Sequence, residues 1–239
     1  MISIKKHIPN TITCMNLLCG CFACMAAFKG YAGGSYIYVA AMFICAAAVF
    51  DFLDGFAARL LHAYSPMGKE LDSLADLISF GLAPGIISYQ FASDIITTYN
   101  NIPASEYVPY LAFLIPIFSA LRLAKFNIDE RQTTSFIGLP VPANALFWIG
   151  VYFFGISYGL QYPYIWIALV IIFSYLLVSE IPMFSLKFKN YSLKSNYLRY
   201  IQIITTVILV LIFGLGGFAP AIMLYILLSL LQNYKILAK

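Results

Sequence analysis

Runs of about twenty apolar residues recur along the whole of this 239-residue chain. Each is long enough to cross the ~30 Å hydrocarbon layer of a bilayer as a helix. They fall at roughly 12–29, 35–57, 71–92, 106–126, 139–158, 162–184, 196–215 and 217–235. The third run carries acids and Pro84, and the last two are separated only by Gly216 and Gly217. Composition agrees with the pattern: 62% of residues are hydrophobic, 10% are charged, and the mean hydropathy is +0.86. Those values exclude an ordinary soluble domain. The expected fold class is therefore all-α, a polytopic integral membrane protein with about eight transmembrane helices, with membrane lipids around it and no nucleic-acid partner.

Orientation follows from the fourteen Lys and Arg residues, because cytoplasmic loops collect them. With the N-terminus inside, Lys5, Lys6, Arg59, Lys69, Arg122, Lys125, Arg131, Lys187, Lys189, Lys194, Arg199, Lys235 and Lys239 all fall on the cytoplasmic side. Lys29 alone falls outside. Eight spans with both termini cytoplasmic, in the cytoplasmic membrane, are the expectation. The first thirty residues resemble a cleaved signal in outline, with LCGC at 18–21, but Pro9, Asn10 and Asn16 interrupt the apolar run, so it is expected to stay as a span. Cys14, Cys19, Cys21 and Cys24 in that span are read as small apolar packing groups. His7 and His62 have no second imidazole at ligand spacing and are read as ordinary interfacial residues.

Against this apolar background the segment DFLDGFAARLLHAYSPMGKELDSLAD, 51–76, holds five of the ten acidic residues. If the second span continues as a helix into it, Asp51, Asp54, Gly55 and Ala58 share one stripe, since i, i+3, i+4 and i+7 lie on one face. The Pro66 and Gly68 of HAYSPMG mark a break, after which a new helix is expected from Glu70, with Asp72 and Asp76 one turn apart. A short re-entry would make the two helices antiparallel neighbours and bring the aspartates together at the cytoplasmic edge. Carboxylates gathered this closely repel one another and call for a positive partner. Oxygen-only donors suit a hard divalent cation, Mg²⁺ or Mn²⁺, and disfavour zinc. Bare positions at Gly55 and Ala58 leave room for a ligand, and Arg59 offers a donor for phosphate. Metal-assisted phosphoryl transfer fits that set. A solvated loop is the bland alternative, but acids placed directly after sixteen mostly apolar residues are usually functional. An ion-coupled transporter is the alternative from another class, although such sites sit at the midplane between repeated halves.

Asp51, Asp54, Gly55, Ala58, Arg59, Gly68, Asp72 and Asp76 match D-x2-D-G-x2-A-R-x8-G-x3-D-x3-D at every fixed position. The chain thereby resembles the CDP-alcohol phosphatidyltransferases. PNTITCMNLLCG at 9–20, LDSLADLISFGLAPG at 71–85, ALRLAKFN at 120–127, FIGLPVPANA at 136–145 and IPMFSLK at 181–187 look like the phosphatidylserine synthase branch. Glycerophosphate-using relatives typically continue from the last aspartate with Asp-Lys, where this chain has Leu77 after Asp76.

The resemblance implies a six-helix family core, placed at 1–190, with 191–239 as a two-helix transmembrane extension. It implies transfer of a phosphatidyl group from CDP-diacylglycerol to L-serine with release of CMP. Asp51, Asp54, Asp72 and Asp76 would hold divalent metal, Asp76 would also act as general base, and Gly55, Ala58, Arg59 and Gly68 would line the CDP site. Inositol phosphate or glycerol 3-phosphate is the alternative acceptor within the family, and a homodimer is expected. Arg122 and Lys125 share a helix face and are candidates for the lipid diphosphate or the serine carboxylate, or else are inner-edge anchors. Asn16, Ser79 and Asn144 are weaker candidates for the serine pocket, equally suited to interhelical hydrogen bonds.

Overall fold

The computed structural model describes residues 7–30, 35–98, 105–129, 136–186 and 192–237. Each apolar run of the sequence contributes helix there. The helices are α1 (His7–Lys29), α2 (Ser35–Leu60), α3 (Pro66–Asp76), α4 (Ala83–Thr98), α5 (Leu114–Ile128), α6 (Val141–Tyr158), α7 (Pro163–Val178), α8 (Leu193–Phe213) and α9 (Phe218–Leu237). A π-helical turn, Leu77–Leu82, joins α3 to α4 in one rod, and a 3₁₀ segment, Ser105–Phe113, leads into α5. Among the described residues, six stretches are long and apolar enough to cross a membrane: His7–Lys29, Ser35–Leu60, Pro66–Thr98, Glu106–Ile128, Val141–Tyr158 and Asn196–Tyr234. The last is folded into a hairpin. Gly214 takes φ +59°, and a Cβ on Gly217 would stand 2.3 Å from the Leu209 carbonyl oxygen, so α8 and α9 meet through bare backbone.

Three expectations are corrected. The helix after the acidic break starts at Pro66, not Glu70, because Ser65 is its N-cap, accepting from the Gly68 N–H at 3.0 Å, and Pro66 supplies a preset φ in the first turn. The sixth span ends at Val178 rather than 184. Ser179 is extended, and Pro182 lies in β2 (Pro182–Met183), a two-residue strand paired antiparallel with β1 (Phe136–Ile137). At 16 residues, or ~24 Å, α7 is shorter than the hydrocarbon layer. Finally, α3 packs chiefly on α1 and hardly on α2, so the two acid-bearing helices are held in place by a third. In the orientation argument, Lys5, Lys6, Arg131, Lys187, Lys189 and Lys239 lie outside the described residues, as do the side chains of Lys194 and Lys235.

Small side chains set how the helices approach. Thr13, Asn16, Gly20, Ala23 and Ala27 are buried on α1, and Ala40, Ala41, Ile44 and Ala47 are buried on α2, the helix α1 packs against most extensively. Gly81 and Gly85 admit α5, since a Cβ on either would stand about 3 Å from Ser119 Cβ or Pro116 Cδ. That close crossing sets α5 beside the turn that follows Asp76.

Candidate active site

Because α2 runs unbroken to Leu60, the stripe of Asp51, Asp54, Gly55 and Ala58 forms as the 3.6-residue period requires. The capped α3 supplies Asp72 and Asp76 from the other side. Carboxylate oxygens of Asp51, Asp72 and Asp76 lie within 4.8 Å of one another. Asp76 is buried, while Asp51 and Asp72 are half-buried. Asp54 stands beside this trio: it is buried, and Oδ2 accepts a 2.7 Å hydrogen bond from the Thr13 hydroxyl of α1.

An open pocket of about 200 Å³ adjoins the trio, with Asp54, Gly55, Ala58, Gly68 and Asp72 in its wall. A Cβ on Gly55 would meet nothing within 4 Å, so its bareness serves the pocket rather than protein packing. At Gly68 a Cβ would stand 3.0 Å from Asn10 Oδ1 and Ser65 Oγ, so this glycine lets the first turn of α3 close against α1. Arg59 is exposed and outside the pocket wall, which instead includes Lys69. Lys69 Nζ donates to the Asn127 carbonyl at 2.7 Å, and Asn127 Nδ2 donates to Ser73 Oγ at 2.9 Å, tying α3 to the end of α5.

The donor set fits a hard divalent cation: oxygen ligands only, three of them from two helices, with an amide holding the buried one. That amide is Asn16, whose Nδ2 donates to Asp76 Oδ1 at 3.0 Å, and whose own carbonyl accepts from Ser79 Oγ at 3.0 Å. Gly20, one turn further along α1, makes the contact feasible, since a Cβ there would fall 2.3 Å from Ser79 Oγ.

Arg122 is 6% exposed and lies in Coulombic range of Asp76, with its guanidinium 4.8 Å from the Phe126 ring centroid and 5.7 Å from that of Phe136. Its Nε and Nη2 are buried without a hydrogen-bond partner among the described residues. Lys125 is committed elsewhere, in an ion pair with Glu180 beyond the end of α7. Asn144 on α6 is fully buried, and neither atom of its amide has a partner among the described residues.

Sequence reasoning did not single out Thr13, Asn10 or Lys69. The signal for the first two was present in PNTITCMN: Asn10, Thr13 and Asn16 recur every three residues, which puts them on one face of α1. Nothing local marks Lys69, because its partner is 58 residues away.

Comparison with known proteins agrees with this geometry. The sequence profile of the CDP-alcohol phosphatidyltransferase family matches residues 6–174. Over 137 residues the chain is 38% identical to a CDP-diacylglycerol–serine O-phosphatidyltransferase of Bacillus subtilis, covering 57% of this chain and 70% of that protein. Proteins of the same name from Helicobacter pylori and Saccharomyces cerevisiae are 36% identical over 140 residues and 35% identical over 156. These alignments cover 58% and 61% of this chain, and the chain spans about half the length of either relative, 54% and 53%. The stretch matched by the family profile contains the carboxylate trio, the pocket, helices α1 to α6 and most of α7. The chain belongs to the CDP-alcohol phosphatidyltransferase family.

Proposed function

We propose that this protein is a CDP-diacylglycerol–serine O-phosphatidyltransferase, moving the phosphatidyl group of CDP-diacylglycerol to L-serine with release of CMP. The observation that carries the reading is the trio Asp51, Asp72 and Asp76, converging within 4.8 Å beside a pocket bared at Gly55. The shared name of the bacterial and yeast relatives favours serine as acceptor.

In this reading Asp51, Asp54, Asp72 and Asp76 hold divalent cations, Mg²⁺ or Mn²⁺. Bound there, such ions would neutralise charge on the diphosphate as CMP departs. Gly55, Ala58 and Gly68 admit the cytidine diphosphate, with Arg59 at its edge. Asp76, as general base, takes the proton from the serine hydroxyl as that oxygen attacks the lipid-linked β-phosphorus. The P–O bond to CMP breaks in the same displacement, and the proton ends on the Asp76 carboxylate. Arg122, buried and with nitrogens unpartnered, is assigned to the substrate's anionic group, either the lipid diphosphate or the serine carboxylate.

The site faces the cytoplasm in the cytoplasmic membrane, with both termini on that side, and two copies of the chain form a homodimer. Residues 191–239 are an extension on the family core. Purified protein offered CDP-diacylglycerol, Mn²⁺ and each of serine, glycerol 3-phosphate and inositol phosphate tests the acceptor. Serine-dependent CMP release is expected; release with glycerol 3-phosphate but not serine would overturn the assignment.

A further inference from the structure

We infer that Asn16 is the positioning residue of the reaction, setting the direction in which Asp76 presents its carboxylate; this rests on the transferase reading above. Three observations converge on it. Asn16 is fully buried, and its Nδ2 donates to Asp76 Oδ1 at 3.0 Å across 60 residues of sequence. Its backbone carbonyl is itself held by Ser79, three residues beyond Asp76 and within the π-helical turn. Thus Asn16 is tied, through its side chain and its backbone, to two positions about one turn apart on the same rod.

The third observation is a cost. Asn16 Oδ1 is buried with no partner among the described residues. An unsatisfied buried acceptor is unfavourable, and an apolar side chain in the α1 stripe would avoid it. The residue is therefore not explained by packing. The amide's orientation is also fixed, because turning it over would set Oδ1 against a carboxylate oxygen. With Oδ1 of Asp76 engaged by the amide, Oδ2 is the oxygen left for substrate or cation. Groups that hold a ligating or reacting carboxylate from behind commonly matter 10- to 100-fold in activity, roughly.

The test is Asn16→Leu and Asn16→Ala in the full-length protein, assayed with whichever acceptor the wild type uses in the panel above. A wild type that prefers another acceptor would refute serine while leaving Asn16 just as testable. The expected result is a fall in kcat of roughly 10- to 100-fold, with KM for CDP-diacylglycerol and acceptor changed less than about threefold and with both variants still inserted and eluting from size exclusion like the wild type. Ser88→Ala is the control, since it breaks a buried interhelical hydrogen bond of equal length, 3.0 Å from Trp166 Nε1, away from the site. It should lower the unfolding temperature and leave kcat alone. Unchanged kcat in both Asn16 variants would overturn the inference. So would a loss carried by KM, or a loss matched by Ser88→Ala.

Discussion

The aspartates of the 51–76 segment have different surroundings, and their substitutions should separate accordingly. Asp76 is buried and flanked by Asn16, Asp51 and Asp72, so Asp76→Asn keeps the shape while removing the base. The expected loss of CMP release is about 10² to 10⁴-fold, with the variant still inserted and eluting from size exclusion like the wild type. Asp51 is half-buried and contributes one oxygen set to the trio. Asp51→Asn should raise the Mn²⁺ concentration for half-maximal rate by about tenfold or more, a change of ~1.4 kcal/mol. Chelation with EDTA should abolish turnover in the wild type, and added Mg²⁺ or Mn²⁺ should restore it. A metal titration of both proteins checks all three statements. At this scale the sequence disclosed the carboxylates and the bare positions, because their spacing is a local, helical signal. It could not disclose which oxygen each carboxylate engages. Asp54 takes the Thr13 hydroxyl and Asp76 the Asn16 amide across 41 and 60 residues, and Lys125 turns to Glu180 across 55.

Among the elements, hydropathy located the long apolar helices, since a twenty-residue apolar run has few other ways to fold in lipid, while the short polar α3 was legible only from the Pro66 and Gly68 break. What it could not give was the identity of the neighbours. The pair α2 and α3 is adjacent in sequence, yet α1 packs against both and supplies the polar groups that hold their acids. The strand pair β1–β2 was invisible for a similar reason: two residues carry no period, and their partners lie far along the chain, Phe136 pairing with Met183 and Ile137 with Pro182. Close crossings depend on glycine where backbone meets backbone. At Gly150 of α6 a Cβ would stand 2.1 Å from the Ala219 nitrogen of α9, and that neighbour cannot rotate away. Gly150→Ala should therefore destabilise the protein by about 1–3 kcal/mol. A thermal unfolding series in detergent measures it. The comparison is Gly159→Ala, at a position with φ +65° but open space, which carries backbone strain alone.

For the molecule as a whole, orientation relative to the bilayer joins the site to its substrates, since a soluble amino acid and CMP must enter and leave from the aqueous face next to the aspartates. The turn between α2 and α3 lies at that face. Met67 there is 70% exposed, and Tyr162, at the start of α7, sits at the opposite end of the bundle in the eight-segment topology. The native cysteines, two of which are exposed on α1, would first be replaced. A membrane-impermeant maleimide added to intact cells should then label Tyr162→Cys and spare Met67→Cys, and inside-out vesicles should reverse the pattern. The reciprocal result in both preparations would put the carboxylates on the outer face. Sequence charge supports the first outcome because basic residues crowd the loops on the α2–α3 side, while Lys29 stands alone on the other. The labelling pattern therefore tests a link that no contact within the bundle contains: the loops that carry most of the positive charge must also open onto the pocket proposed to admit CDP-diacylglycerol.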